Sequence, residues 1–224
     1  MVEVGVAADN EFAPDVSAPD LLSLHEAIAT MFAAQGDWRR AYNHLRSALD
    51  IARAGSLRDT LTSSYNRRYL DQRLPGLPAG HGLAVALIDL DRFKHVNDTY
   101  GHLLGDRVLC RVADLLQEEL PPEGFCARYG GEEFALVLPG VDARRAVRIV
   151  DAARTRVARH PWSELQPGLT VTISAGLAHV SGGRVSAQRQ LRHADNLLYA
   201  AKRAGRNHVA YRDRETTRLI THSE

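Results

Sequence analysis

The chain has 224 residues, of which 45% are hydrophobic and 25% are charged. This is an ordinary globular composition, sufficient for one domain with a small addition or for two small domains. The formal net charge of +1 argues against a global field that would attract nucleic acid or an anionic membrane. No apolar run approaches the ~20 residues of a membrane span, and the acidic N-terminus does not resemble a signal peptide. The two cysteines, Cys110 and Cys126, lack disulfide or metal-motif spacing, so we expect a cytoplasmic protein.

The N-terminal quarter of the chain predicts two helices. Residues 1–19 are acidic and predict a loose tail, and residues 20–55 predict a helical hairpin with Asp20 as the first cap and a break at Gly36-Asp37. The hairpin resembles one tetratricopeptide repeat at Ala27, Gly36, Asp37, Trp38, Ala41, Leu45, Ala48 and Leu49. A plain amphipathic hairpin is the alternative, because a single copy shows no periodicity.

The remaining chain alternates between strand and helix patterns. Residues 59–71 predict a capped turn that leads into a helix. We expect strands at Gly82–Ile88, Phe125–Tyr129, Phe134–Leu138, Leu169–Ala178 and His208–Tyr211. We expect helices between the first two strands, at Asp142–His160 and at Leu191–Arg203. This order predicts an α+β domain with a mixed sheet and helices largely on one face.

Acidic side chains gather at two points of this pattern. Gly130-Gly131 between two short apolar strands predicts a type I′ hairpin turn with positive φ, but such a turn does not explain the adjacent Glu132-Glu133 pair. Asp89 follows directly after a buried strand, whereas Asp91 is best interpreted as a helix cap. If the hairpin pairs beside that strand, the three carboxylates converge, and oxygen ligands with open positions suit Mg²⁺.

Six separated blocks resemble the GGDEF family of diguanylate cyclases in order and spacing. They cover roughly residues 57–212, which leaves residues 213–224 as a predicted C-terminal tail. The blocks are Asp59-Thr-Leu-Thr62 with Asn66-Arg-Arg68, Asp89-Leu-Asp-Arg-Phe-Lys94, Asn97-Asp98 with Gly101-His102, Gly105-Asp106, Gly130-Gly-Glu-Glu-Phe134 and Ala201-Lys-Arg-Ala-Gly-Arg-Asn207.

The resemblance implies a ferredoxin-like, palm-type domain with a mixed central sheet flanked by helices. It implies condensation of two GTP molecules into cyclic di-GMP, with two Mg²⁺ or Mn²⁺ ions in each active site and a homodimer needed for catalysis. By position, Asp89, the Leu90 carbonyl, Glu132 and Glu133 would hold the metals, and Glu132 would also be catalytic. The implied substrate-binding residues are Lys94, Asn97, His102, Asp106, Lys202 and Arg206.

The family's usual inhibitory product site is missing from this sequence. Pro121 and Gly124 occupy the positions where the family often has Arg and Asp, so the sequence predicts weak feedback inhibition. Two other functions remain open at this point. In the first, the domain is a catalytically silent sensor of GTP or cyclic di-GMP. In the second, the hairpin is an adaptor that binds a protein partner or ligand, and the cyclase domain is its output.

Overall fold

The computed structural model describes residues 18–77, 82–182, 186–213 and 216–220. These residues form two compact units that divide between Ser56 and Leu57. Residues 1–17, which include most of the predicted tail, lie outside the described residues. Within the described part of the chain, every helix is too short or too polar to span a bilayer.

The N-terminal unit is the predicted helical hairpin, formed by α1 (Ala18–Ala34) and α2 (Trp38–Gly55). Gly36 supplies the positive φ of +76° that the tight connection requires, and Asp37 accepts a hydrogen bond from the Arg40 amide at the start of α2. The expected cap at Asp20 is wrong. The helix begins two residues earlier, and Asp20 lies in its first turn, where a carboxylate is still favourable to the helix dipole.

The second unit is built around one seven-stranded sheet. Its strands are β1 (Tyr65–Asn66), β2 (Leu83–Leu90), β3 (Phe125–Arg128), β4 (Glu133–Pro139), β5 (Ile173–Val180), β6 (Val209–Asp213) and β7 (Thr216–Ile220). They lie in the order β1-β3-β4-β2-β5-β6-β7. The β1–β3 and β5–β6 pairs are parallel, and the other pairs are antiparallel. The mixed sheet is therefore confirmed, and its central strands have the ferredoxin-like order.

Helices cover both faces of this sheet, so the expectation that they lie largely on one face is wrong. They are α3 (Arg67–Arg73), α4 (Phe93–Tyr100), α5 (His102–Glu118), α6 (Ala143–Arg159) and α7 (Ala187–Arg203). Side chains from α4, α5 and α6 pack on one face with Ala84, Ala86 and Ile88 of β2. Side chains from α3 and α7 pack on the other face with Val85 and Leu87. All eight residues of β2 are buried, which explains the apolar run Leu83–Ile88 that precedes Asp89.

The strands differ from expectation most clearly at β5 and near the C-terminus. β5 begins at Ile173 rather than at Leu169. The predicted C-terminal tail contains β7, whose residues Thr216–Ile220 pair antiparallel with β6. Most of β7 is exposed at the sheet edge, so its sequence lacks the apolar run by which a buried strand is recognised.

Candidate active site

The predicted acidic residues meet at the C-terminal end of β2. Asp89 is the penultimate residue of β2, and in register it lies opposite Glu133 at the start of β4. The Leu90 amide donates a hydrogen bond of 3.2 Å to the Glu132 carbonyl. The expected pairing of the hairpin beside this strand is therefore correct. It places Glu132 and Glu133 beside a buried aspartate at the rim of the core.

A lysine from the opposite side of the site neutralises this aspartate. Lys202 lies in the last turn of α7, and its Nζ is 2.7 Å from Oδ2 of Asp89. Burial raises the pKa of Asp89 more than the Lys202 interaction lowers it, and the charge of Asp91 raises it further. The pKa of Glu132 is also raised, first by burial and then by the charge of Asp89. These carboxyls therefore hold protons more readily than isolated ones.

Gly130 serves a purpose different from the one expected. Positive φ values occur at seven glycines among the described residues, and neither Gly130 nor Gly131 is one of them, so the type I′ turn prediction is wrong. The Glu133 carbonyl instead accepts from the amides of Tyr129 and Gly130 across a longer loop. A Cβ at position 130 would lie 2.7 Å from the Glu133 carboxylate. Glycine at this position therefore leaves room for an acidic side chain.

An ion pair missed by the sequence analysis holds this loop in place. Arg128 donates to the Asp59 carboxylate at 3.1 and 3.3 Å, and also to the Gly131 carbonyl at 2.7 and 3.2 Å. Asp59 in turn accepts from the Thr62 amide and hydroxyl, both at 2.8 Å. Burial raises the pKa of Asp59, but the bonds from Thr62 and Arg128 outweigh it and lower the pKa overall. Asp59 stands in one of the motif blocks and Arg128 lies two residues before another, but no local pattern joins positions 69 residues apart.

Asp91 is a tertiary anchor, and its predicted role as a helix cap is wrong. The residue before α4 is Arg92, in a left-handed conformation and without a side-chain cap. The Asp91 carboxylate accepts hydrogen bonds from the hydroxyls of Thr172 and Ser174, both at 2.7 Å, and from the Asn207 amide at 2.9 Å. It therefore fixes the loop that carries Arg206 against the strand beside the site.

The predicted guanine-binding residues lie on α4 and α5. The side-chain oxygen of Asn97 is buried and accepts no hydrogen bond from any described residue. It points at Gly105, where any Cβ would overlap it. Asp106 and His102 are exposed on α5, and Asp106 borders a cleft of about 490 Å³. A buried amide oxygen without a donor is costly, so the arrangement favours a ligand with N–H groups at this position.

The predicted phosphate-binding residues are basic and accessible. Lys94 is exposed in the first turn of α4, and Lys202 is only partly buried. Arg206 has a left-handed backbone with φ of +69°. Together with Arg92 and His95 it borders a cleft of about 360 Å³ next to Asp91. Lys202 and Arg206 therefore place positive charge beside the carboxylates, which suits an anionic ligand.

Comparison with known proteins identifies the family. The model of the diguanylate cyclase GGDEF domain matches residues 56–208. The chain belongs to the GGDEF family. The probable diguanylate cyclase DgcT of Escherichia coli strain K12 is 35% identical over 175 residues, and the response regulator PleD of Caulobacter vibrioides is 35% identical over 178 residues. Each alignment covers 76% of this chain but only 39% of the relative.

Solved GGDEF structures have the same fold. The GGDEF domain of DgcB from Caulobacter crescentus, in complex with c-di-GMP, is 33% identical with a TM-score of 0.63, over 70% of this chain and 95% of that domain. The diguanylate cyclase SiaD of Pseudomonas aeruginosa, in complex with its activator SiaC, is 33% identical with a TM-score of 0.64. This match covers 85% of the present chain and 76% of the SiaD chain.

The GGDEF inhibitory positions lie in a tight turn before β3. The Gly124 amide donates to the Pro121 carbonyl at 2.8 Å. A Cβ at position 124 would lie 3.0 Å from the Pro121 ring. Neither residue carries a charge, so these two positions offer no side-chain partner for a guanine base or a phosphate.

The carboxylate set of this GGDEF domain fits a divalent cation only as part of a larger ligand set. Within the described residues, no three His, Cys, Asp or Glu side chains are close enough together to hold an ion by themselves. The oxygen donors at the site are carboxylates and the Leu90 carbonyl, which are ligands that Mg²⁺ accepts. Mg²⁺ sites commonly use one or two carboxylates and complete their shell with substrate phosphates and water. The residues therefore fit a metal that binds together with a nucleotide.

Proposed function

We propose that this protein is a diguanylate cyclase, which condenses two GTP molecules into cyclic di-GMP and releases two pyrophosphates. The observation that carries the proposal is the meeting of Asp89, Glu132 and Lys202 at one end of β2. A silent sensor of GTP needs a base pocket and phosphate contacts, but it has no need of raised carboxyl pKa values beside the phosphate-binding lysine.

We assign the metals to the acidic end of the site. Asp89, the Leu90 carbonyl, Glu132 and Glu133 would hold two Mg²⁺ or Mn²⁺ ions, with substrate phosphates completing the shell. Bound there, such ions would lower the pKa of the ribose 3′-hydroxyl and offset charge on the α-phosphate. Glu132 would accept the 3′-hydroxyl proton, since its raised pKa suits a general base.

The other predicted residues would position GTP. Asn97 and Asp106 would accept the N1–H and N2–H₂ donors of guanine, which adenine does not present in that arrangement. His102 lies at the start of α5, on the same helix as Asp106, and would border the base. Three basic side chains would hold the triphosphate and the departing pyrophosphate by charge-assisted hydrogen bonds: Lys94, Lys202 and Arg206.

The chemistry requires two copies of the domain. Each GGDEF domain would bind one GTP, and each 3′-oxygen attacks the α-phosphate held by the other copy, so two active sites must face each other across a twofold axis. We therefore propose a homodimer as the active form. Holding two modules on a shared stalk raises the effective concentration of one site near the other to the millimolar range for short links.

The N-terminal hairpin offers a surface for this pairing. Leu21, Leu24, Ile28, Phe32, Leu45 and Ala48 recur at helical spacing along the hairpin, and of these Ala48 is buried while Ile28 and Phe32 are half-buried. The large apolar side chains that remain exposed follow one helical stripe on each helix: Leu21, Leu24 and Met31 on α1, and Trp38, Tyr42, Leu45 and Leu49 on α2. Exposed apolar surface of this extent is typical of an interaction site.

Deletion of residues 1–55 tests the pairing. If the hairpin holds two chains together, the truncated protein sediments as a monomer at low micromolar concentration. Its specific activity then rises steeply as the protein is concentrated. A truncated protein that remains dimeric and equally active per chain would exclude the hairpin as the dimerisation element and favour a protein partner or ligand for it.

The enzymatic proposal is tested by incubating the purified full chain with GTP and Mg²⁺ and identifying the products by mass spectrometry. Cyclic di-GMP and pyrophosphate are expected in a ratio of one to two. The Glu132→Gln variant serves as the matched control for contaminating activity. Tight GTP binding without turnover, measured by calorimetry on the same sample, would replace the enzyme proposal with the silent sensor.

A further inference from the structure

The ion pair between Lys202 and Asp89 engages a side chain that the proposed metal also needs. Lys202 Nζ lies 2.7 Å from Oδ2 of Asp89. The Asp89 side chain is 10% exposed and that of Lys202 is 33% exposed. An ion pair this sheltered is screened much less by water and salt than a surface pair. A cation that approaches Asp89 must therefore displace the ammonium group or bind beside it.

Binding beside it is electrostatically unfavourable. An ammonium and a divalent ion on the same carboxylate would lie within a few ångströms of each other, and their repulsion is strong where the surroundings are partly buried. Arg206 adds further positive charge near Asp89, and this charge lowers the pKa of the aspartate. Lys202 and Arg206 therefore oppose a bare metal ion at Asp89 until an anion joins the site, and they act against the attraction of the neighbouring acidic groups of Asp91 and Glu132.

A nucleotide triphosphate supplies that anion. Lys202 ends a flexible four-carbon stem in the last turn of α7, so its ammonium group can swing from the carboxylate to a nearby phosphate without moving the helix. The helix itself is fixed, since a Cβ at Gly176 in β5 would collide with the α7 backbone. Only the side chain has to move, and its departure frees Asp89 for the metal.

We propose that Lys202 makes metal binding conditional on the nucleotide: it holds Asp89 until a triphosphate draws it away. This inference rests on the proposed function, because it assumes that Asp89 is a metal ligand. Nucleotide and metal then bind as a unit, and by thermodynamic linkage each raises the affinity of the other by the same factor. The positioning role of Lys202 is therefore distinct from any contact that it makes with phosphate.

The test measures Mn²⁺ binding to the full chain by electron paramagnetic resonance of the free ion, without nucleotide and without turnover. The Lys202→Met variant should bind Mn²⁺ at least about fivefold more tightly than wild type, the lower end of usual coupling factors. Lys202→Gln should behave in the same way and guards against a folding defect. The matched control is Arg203→Met, which removes an exposed charge one residue away that lies over the Tyr199 ring. It should leave Mn²⁺ affinity at the wild-type value.

The second half of the test repeats the Mn²⁺ measurement with a GTP analogue that has a methylene bridge between the α- and β-phosphorus, so that this bond cannot be broken. The analogue should raise Mn²⁺ affinity about 5- to 150-fold in wild type and clearly less in Lys202→Met. Equal Mn²⁺ binding by wild type and Lys202→Met, with both weakened by Asp89→Asn, would overturn the conditional mechanism and leave the metal site intact. Mn²⁺ binding that ignores Asp89→Asn in every background would overturn the metal site, and the mechanism with it.

Discussion

The Arg128 bridge should control both the stability and the activity of the domain. One guanidinium joins the Asp59 carboxylate to the Gly131 carbonyl, directly beside the proposed catalytic Glu132. Arg128→Met removes every one of these hydrogen bonds while keeping much of the apolar stem. We expect the altered loop to shift by up to about one ångström, because the two hydrogen bonds from Arg128 to the Gly131 carbonyl are lost.

The size of the expected losses in stability and in rate follows from the geometry of the Arg128 hydrogen bonds. A hydrogen bond that involves a charged group is worth about 1.5–3 kcal/mol net. The Asp59 and Arg128 side chains are 19% and 17% exposed, so water offsets part of this. We therefore expect a loss of about 2 kcal/mol in the free energy of unfolding. A misplacement near one ångström costs about 100-fold in rate, so kcat should fall by about that factor.

Two further variants separate the bridge from general effects. Arg128→Lys should lie between wild type and Arg128→Met, because a single ammonium cannot reproduce the planar fork that reaches both partners. Arg67→Met removes a guanidinium that lies 4.5 Å from the Tyr129 ring, close to the same loop, and should leave kcat within about twofold, as for a surface change. The assays are urea denaturation and initial rates of cyclic di-GMP formation at saturating GTP and Mg²⁺. An Arg128→Met protein with wild-type kcat and stability would refute the reasoning.

Three further outcomes are expected. Glu132→Gln should lower the cyclase rate by about 10³-fold while the protein stays folded, and a near-normal rate would exclude Glu132 from the chemistry. Burial and the Asp89 charge raise the pKa of Glu132 above its ordinary 4.5, so ionised Glu132 costs stability at neutral pH. Urea titration at pH 7 should therefore give a higher free energy of unfolding for Glu132→Gln than for wild type. The difference should vanish below about pH 4.5, and a difference that does not depend on pH would contradict this reasoning. Initial rates should stay nearly flat with micromolar cyclic di-GMP, since Pro121 and Gly124 carry no charge, and non-competitive inhibition would reveal another product site.

The sequence predicted the acidic end of the site because local chemistry determines it. An apolar run that ends in Asp89 marks the point where a buried strand reaches the rim of the core. Gly130-Gly131 between two short apolar runs marks a hairpin. When these elements pair, Asp89 and Glu133 lie opposite each other, so the convergence follows from strand pairing alone.

The anchors of the site escaped prediction because their partners are distant in the chain. Asp91 resembles a helix cap in its local sequence, but the groups that donate hydrogen bonds to its carboxylate are 81 to 116 residues away in the chain. The Asp59–Arg128 pair spans 69 residues. Side-chain hydrogen bonds of this kind depend on the tertiary packing of loops, and no periodicity in the sequence encodes them.

The hairpin glycines show how a correct element can be predicted for the wrong physical reason. The Gly-Gly pair predicted the turn between β3 and β4, but neither residue uses the positive φ that glycine permits. A Cβ at Gly130 would lie 2.7 Å from the end of the Glu133 side chain, so glycine there lets the carboxylate keep its present position. Gly131 contributes its carbonyl to Arg128, which every residue type possesses, and a Cβ there would meet no protein atom within 4 Å. The Gly-Gly pair therefore marks the hairpin in the sequence, but what the missing Cβ at position 130 accommodates is the Glu133 side chain rather than a positive φ.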